Sequence, residues 1–319
     1  MFVNGKELME MKLEGAGFIV EQLVPEVGIT YFTAKSGRGK TFVSVFLCLS
    51  VLTGGKFMGL FETKKGNVLF IDEENGEVVI QQRLRLINEA VPIEELPNIH
   101  FKIMENFTLD SESISKIKKI VEEKKINLII IDCLSRVFLG DENSSKETRR
   151  IYALLKKLCH ENKLAVIILH HSRKSENEEI GEEDMRGSSE LSAAAVSVLL
   201  MDKSNKYGCL IMKQTKLRIG MPLQDQIFFE LKFSEDKTQC ALNFLRRGKV
   251  RRSASEKATE VIRRIIKNEK PEEMVTVEMK ERLKDIFKSN AVNNAFQTLE
   301  MHGEIDYVKK GHWRVIYPP

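Results

Sequence analysis

Eight residues, Ala34-Lys35-Ser36-Gly37-Arg38-Gly39-Lys40-Thr41, have the types and spacing of a phosphate cradle. Gly37 and Gly39 let the backbone turn tightly, so that its N–H groups can converge on phosphate oxygens. Lys40 is placed to reach the outer phosphates, and the Thr41 hydroxyl suits a Mg²⁺ ion. An apolar run over 28–33 precedes the loop and reads as a buried strand. A second run, opened by Phe42 and continuing to Leu52, reads as a helix. Strand, glycine loop and helix form the context the motif requires, with the helix N-terminus adding its own amides. Ala34 to Phe42 are therefore expected to line the cofactor site. Ala34 stands where the motif begins with glycine, which predicts a restricted first turn. The plainer reading of the whole stretch is an ordinary glycine turn before a helix.

Several other stretches could complete a hydrolytic site. Asp132 closes the apolar run Asn127 to Asp132 and is the expected second Mg²⁺ ligand. Asp72-Glu73-Glu74-Asn75 closes another apolar run, and a carboxylate there could orient an attacking water. A solvated acidic turn is the alternative. His170-His171 ends the run from Leu164; either ring could bond a terminal phosphate, or the pair could be exposed or internally satisfied. Lys216 and Arg218 flank Leu217 after an apolar run, a spacing compatible with a finger reaching a neighbouring subunit's phosphates, or with a solvated basic turn.

These groups need a scaffold, and the chain alternates apolar strand patterns with helical ones. Strands are expected over 28–33, 67–72, 99–104, 127–132 and 164–169, with helices over 42–52, 78–90, 113–125 and 147–162. That rhythm predicts an α/β fold, a mainly parallel sheet with helices on both faces. A small-residue stretch, 188–195, is expected to be helical. Four strand patterns then follow over 196–201, 208–214, 226–233 and 239–245, predicting an antiparallel extension. The basic stretch Arg246 to Ser253 reads as a boundary, giving a core of 1–248 and a second domain of 249–319. The second domain reads as helices over 256–266, 276–283 and 290–301, then a hairpin turning at Gly311.

Composition sets wider limits. The chain has 319 residues, 50 Lys+Arg against 46 Asp+Glu, and a net charge of +4, too mild a balance to imply a nucleic-acid partner alone. Its five cysteines are scattered without a Cys-x-x-Cys pair, so neither a zinc framework nor disulfides are expected. The polar N-terminal stretch is not read as a signal peptide, and no run approaches a membrane span of about 20 residues. A reducing, cytoplasmic setting is the expectation.

In combination the motifs resemble those of the RecA-like hexameric ATPases of the RepA replicative-helicase type. The stretches that carry the resemblance run in the same order: the cradle, Gly55-Lys56-Phe57-Met58-Gly59, Ile71-Asp72-Glu73-Glu74-Asn75, Ile130 to Arg136, Leu169 to Lys174, and Arg186 to Leu191. The resemblance covers about 16–245. It implies a P-loop core, ATP and Mg²⁺ as cofactors, a homo-oligomer of six subunits with sites between them, and single-stranded DNA in a central pore. It implies Glu74 as the catalytic glutamate, with Glu73 next to it, and leaves the choice between His170 and His171 open. Loops over 139–146 and 172–186 would face the pore, where Lys146, Arg173 and Lys174 could contact phosphates. Six acids, Glu176, Glu178, Glu179, Glu182, Glu183 and Asp184, crowd the second loop and oppose that role. The C-terminal pattern looks like a winged helix, an α+β unit able to bring duplex DNA to residues 253–319. Asn290, Asn293, Asn294 and Gln297 would read bases and Lys309, Lys310, His312 and Arg314 would lie on the wing; a protein-docking module is the alternative. The functional expectation is an ATP-driven DNA helicase or translocase of a replicating element. The alternatives are a DNA-binding ATPase without unwinding activity and a small-molecule phosphotransferase.

Overall fold

The structure, a computed structural model, describes residues 3–11, 17–87, 93–138, 145–172, 193–203, 209–249, 254–301 and 304–316. The chain divides into two compact units, 1–249 and 250–319.

The larger unit is built on a nine-stranded sheet. Its strands are β1 (Gly28–Ala34), β2 (Asn67–Asp72), β3 (Ile99–Ile103), β4 (Ile126–Asp132), β5 (Ala165–His171), β6 (Ser197–Lys203), β7 (Leu210–Leu217), β8 (Asp225–Phe233) and β9 (Cys240–Lys249). In space they run β9-β8-β7-β6-β1-β5-β4-β2-β3. From β6 to β3 every pairing is parallel, and from β6 to β9 every pairing is antiparallel. All seven residues of β1 are buried, as a central strand covered on both faces must be. Helices α1 (Lys40–Thr53) and α2 (Glu77–Ile87) lie with one core, which gathers Val43, Leu47, Val51 and Ile80 against Phe32, Phe70 and Ile130. Helices α3 (Ser111–Lys124) and α4 (Ser145–Asn162) lie with the other, where Ile117, Val121, Leu155 and Leu158 meet Tyr31, Ile129 and Ile168. Alternate residues of the same strands thus feed opposite layers, which is the period of a strand expressed as two cores.

The register sets the functional edge. Ala34 pairs with His171 and with Met201, Asp72 pairs with Asp132 and Ile131 with Ile168, so β2 and β4 end together two residues short of the ends of β1 and β5. Ligands of open parallel sheets bind at that edge.

One expectation is sharpened and one needs correction. The two units divide after Lys249, within the expected basic stretch, whose first residues are strand. They continue β9, pairing with Asp225–Phe228, and the Arg246 guanidinium stacks 3.8 Å from the Phe228 ring centroid. Cross-strand pairing and stacking on an aromatic face hold the polar run in the sheet. Ala34 does not strain the first turn. It is the last residue of β1, in extended backbone, and the left-handed turns fall later, at Gly37 (φ +72°) and Gly39 (φ +81°). Of the expected helix over 188–195, Ala193 and Ala194 are helical and Ala195 is not; residues 188–192 lie outside the described residues.

The smaller unit holds α5 (Ala254–Glu269), β10 (Glu273–Val275), α6 (Thr276–Arg282), α7 (Ser289–Met301), β11 (Ile305–Lys309) and β12 (His312–Val315). Its sheet order is β10-β12-β11, so the expected hairpin gains a third strand. Ala291, Val292, Ala295, Phe296 and Leu299 of α7 pack inward, while Asn290, Asn294 and Gln297 are exposed and Asn293 is half-buried.

Gly28 opens β1 at φ +123°, and a Cβ there would stand 2.8 Å from Cγ1 of Val196. Gly28→Ala combines backbone strain with overpacking, at a cost of about 2–4 kcal/mol. Thermal unfolding should fall by roughly 5 °C or more. An unchanged midpoint contradicts this packing.

Candidate nucleotide site

The loop between β1 and α1 leaves its amides at the functional edge, and α1 is entered through Gly39 without a side-chain cap. Its N-terminal N–H groups are therefore left for an anion. Lys40 is buried and curls back over the loop. Its ammonium donates to the carbonyl of Ala34 at 3.1 Å and lies 3.0 Å from Nδ1 of His171. An ammonium has no lone pair, so Nδ1 must accept and the ring proton must sit on Nε2. That Nε2 faces Oε1 of Glu74 at 3.2 Å. Lys40, His171 and Glu74 thus form one directed chain of donors and acceptors across the edge. Burial lowers the basicity of Lys40, against the attraction of Asp132 and Glu74. The His171 hydrogen bond holds the Glu74 carboxyl down at about 2, so it stays ionised.

The two histidines separate by strand alternation. His170 points into the sheet, 2% exposed, edge-on to Tyr31 at 6.2 Å between ring centroids. His171 points to the site. The two glutamates separate likewise. Glu73 turns away, its Oε1 accepting from the backbone N–H groups of Glu105 at 3.1 Å and Phe107 at 2.9 Å.

Thr41 donates from Oγ1 to Oδ2 of Asp132 at 2.6 Å. Asp132 is wholly buried, and its Oδ1 accepts no hydrogen bond. A buried oxygen lacking a donor beside a hydroxyl suits a hard, oxygen-seeking cation, so this pair fits Mg²⁺. Burial pushes the Asp132 carboxyl up to about 6, reinforced by the charges of Glu74 and Asp72.

Three contributors carried no separable signal in the sequence. Asn75 bridges two carboxylates, donating from Nδ2 to Asp72 at 2.8 Å and to Asp132 at 3.2 Å. Arg83 of α2 feels the charges of Asp132, Asp72 and Glu74 while burial lowers its basicity, yet its helical period does not distinguish it from Arg85. Asp202, at the end of β6, takes Arg38 at 3.2 Å and Lys35 at 3.8 Å. These two loop side chains are tied aside, while Ser36 and Gly37 are exposed. Phe42 stacks edge-on with Phe233 at 5.9 Å, with the Arg83 guanidinium 5.3 Å from its ring centroid, so it braces the start of α1.

Lys216 and Arg218 are not brought to this cradle. Lys216 pairs with Val198, and the Arg218 N–H donates to the carbonyl of Val196 at 2.8 Å, near the N-terminal ends of the parallel strands. Five residues of strand, about 16 Å, separate that level from Ala34. The Arg218 guanidinium donates to the carbonyls of Ala195 at 3.1 Å and Ala193 at 2.6 Å. Arg173, Lys174 and the acids over 176–184 lie outside the described residues.

A phosphate cradle at the C-terminal edge of a parallel sheet, with a threonine–aspartate pair and an ionised carboxylate beside it, defines a RecA-like P-loop ATPase. The AAA domain family AAA_25 matches residues 16–177, about half of the chain, and the chain belongs to that family. No curated protein matches the sequence. Among solved structures, that of the RadB recombinase is 19% identical with a TM-score of 0.49, covering 66% of this chain and 89% of that one. No helix among the described residues is long and apolar enough to cross a membrane.

The raised Asp132 carboxyl has a stability consequence with a definite sign. Its folded value of about 6 exceeds the ordinary 3.8, so ionisation costs stability as pH rises between those values. Asp132→Asn removes that cost. Without nucleotide the variant should melt a few degrees higher at pH 7, on the order of 2 kcal/mol, and the gap should close towards pH 4. A variant no more stable at pH 7 contradicts the assignment.

Proposed function

We propose that this chain is an ATP-hydrolysing motor of the RepA type that acts on DNA during replication of a plasmid, phage or similar element, working as a ring of six subunits. The observation that carries the ATPase chemistry is the Lys40–His171–Glu74 chain beside the Thr41–Asp132 pair. Ala34 to Phe42 form the nucleotide cradle, with the loop amides and Lys40 holding the phosphates. Thr41 and Asp132 would hold Mg²⁺, which neutralises phosphate charge when bound. Glu74 orients the attacking water as an ionised acceptor. His171 changes partner when a terminal phosphate draws Lys40 away, and so senses its presence. His170 supports the strand beneath, and Glu73 anchors the loop at Glu105–Phe107.

Arg218, with Lys216, is assigned to the neighbouring subunit's site, since its own cradle is beyond reach. The motor reading places single-stranded DNA in the ring's pore, and residues 253–319 bind duplex DNA as a winged helix. The exposed amides of α7 support that last role, as do exposed Lys309, Lys310 and Arg314 on β11, its turn and β12. A second reading, a DNA-binding ATPase that loads or regulates without unwinding, is favoured by the six acids over 176–184, which repel a phosphate backbone.

Strand displacement on forked DNA, measured beside ATP hydrolysis with and without single strands, separates the two. The motor reading expects displacement and stimulated hydrolysis. Hydrolysis with no displacement on any fork replaces it with the second reading. Removing 253–319 should leave basal hydrolysis intact and weaken duplex binding; unaltered duplex affinity removes the tail from the proposal.

Glu74→Gln should bind ATP and lower turnover by on the order of 10²-fold or more, with Glu73→Gln close to wild type. The reverse ranking would show that the wrong glutamate has been assigned. Arg218→Ala mixed with Lys40→Ala should regain activity at mixed interfaces. A mixture no more active than its parts rules out action across subunits.

A further inference from the structure

A second set of ligand atoms meets at the functional edge, distinct in chemistry from the Thr41–Asp132 pair. Glu74, Cys133 and His171 each present one, and these atoms all lie within 4.8 Å of one another. They come from residues at or just beyond the ends of three strands, β2, β4 and β5, gathered by the register already described. We propose that Glu74, Cys133 and His171 form a site for a thiophilic divalent cation of the zinc class, whose occupation shuts off the hydrolytic site.

The donor set is one sulfur, one nitrogen and one oxygen. Such a set selects zinc-like ions over Mg²⁺, which favours oxygen alone. Three protein ligands and an open fourth position give the coordination of zinc sites that keep an exchangeable water. Bonds of about 2.0–2.3 Å at tetrahedral angles put donors roughly 3.5 Å apart, so the set must close by about an ångström. The partners are suited to that. Cys133 is fixed, 1% exposed, at the end of β4, with Sγ 3.3 Å from the Ser135 hydroxyl. The side chains of His171 and Glu74 are 20% and 29% exposed and can move towards it.

Binding balances simply. The thiol proton leaves to solvent, and the Cys133 thiolate and Glu74 carboxylate together neutralise the dication. With His171 Nε2 on the metal, the ring proton must sit on Nδ1, so the Lys40 hydrogen bond is lost. The cation and Lys40 therefore compete for the same ring. Inhibition rests on the roles given above to Glu74 and His171; metal binding itself does not.

Co²⁺ serves as the probe on the full chain, because a thiolate ligand gives it a charge-transfer band in the near ultraviolet. The wild type should show that band, zinc should abolish it, and both Cys133→Ala and His171→Ala should lack it. Cys133→Ala should still hydrolyse ATP, and its half-inhibition should need on the order of tenfold more zinc or greater. No band in the wild type, or the same band in Cys133→Ala, overturns the site; His171→Ala decides it if Cys133→Ala does not fold. Equal zinc sensitivity of the two proteins overturns the inhibitory role. Glu74→Gln keeps the two claims apart: normal hydrolysis by it refutes the functional reading, while the cobalt spectra of the wild type and Cys133→Ala still decide the site.

Discussion

Lys40 can only donate, and that single fact orders the functional edge. Its ammonium takes Nδ1 of His171 as an acceptor, which fixes the ring proton on Nε2 and directs it to Glu74. The carboxylate is thereby held ionised and aimed. Everything around the chain serves to keep these three groups in register. β1 delivers the loop, β5 delivers His171 opposite Ala34, and β2 delivers Glu74 two residues beyond Asp72, level with Asp132. A slip of one residue in β5 would bury His171 and present His170 instead.

The same edge carries a heavy negative load. Asp72 and Asp132 are both wholly buried and Glu74 lies close by. Isolated buried carboxylates are costly, and these are offset by specific donors. The backbone N–H groups of Asn75 and Gly76 and the Asn75 amide serve Asp72, and Thr41 and Asn75 serve Asp132. Lys40 and Arg83 supply positive charge to the group. Of the two buried aspartates, Asp132 keeps one oxygen without a donor, and the upward displacement of that carboxyl marks the place where a cation would stabilise the site. An edge arranged in this way is strained towards binding a cation and an anion together, as a magnesium–nucleotide pair supplies them.

Much of this was legible in the sequence because it depended on periodicity and on local backbone chemistry. The cradle, the strands ending at Asp72 and Asp132, and both layers of helices followed from apolar runs and glycine spacing. The direction of each side chain at a strand end did not follow, since it depends on register between strands far apart in sequence. That is why neighbouring pairs, Glu73 with Glu74 and His170 with His171, stayed unresolved until the pairing of β5 with β1 and the Glu73 contacts to Glu105 and Phe107 were known. Arg83 and Asp202 were invisible for the same reason, as ordinary charges on a helix and a strand. The continuation of β9 into the basic run at Arg246 was not legible because its stabilising partner, the Phe228 ring, lies on another strand. The alanine at position 34 looked like a defect only because motif spacing says nothing of which residue takes positive φ.

In the proposed cycle His171 is held by Lys40 without nucleotide and changes partner when a terminal phosphate arrives. Nitrogen-15 NMR of the histidine-labelled protein reads the two ring nitrogens directly, and His171→Gln assigns the signal among six histidines. In the free protein the ring proton is expected on Nε2, with Nδ1 accepting from Lys40. A clear shift at Nδ1 is expected with a non-hydrolysable ATP analogue and Mg²⁺, and a near-return to the free spectrum with ADP and Mg²⁺. A His171 signal that is the same in all three states would contradict that cycle.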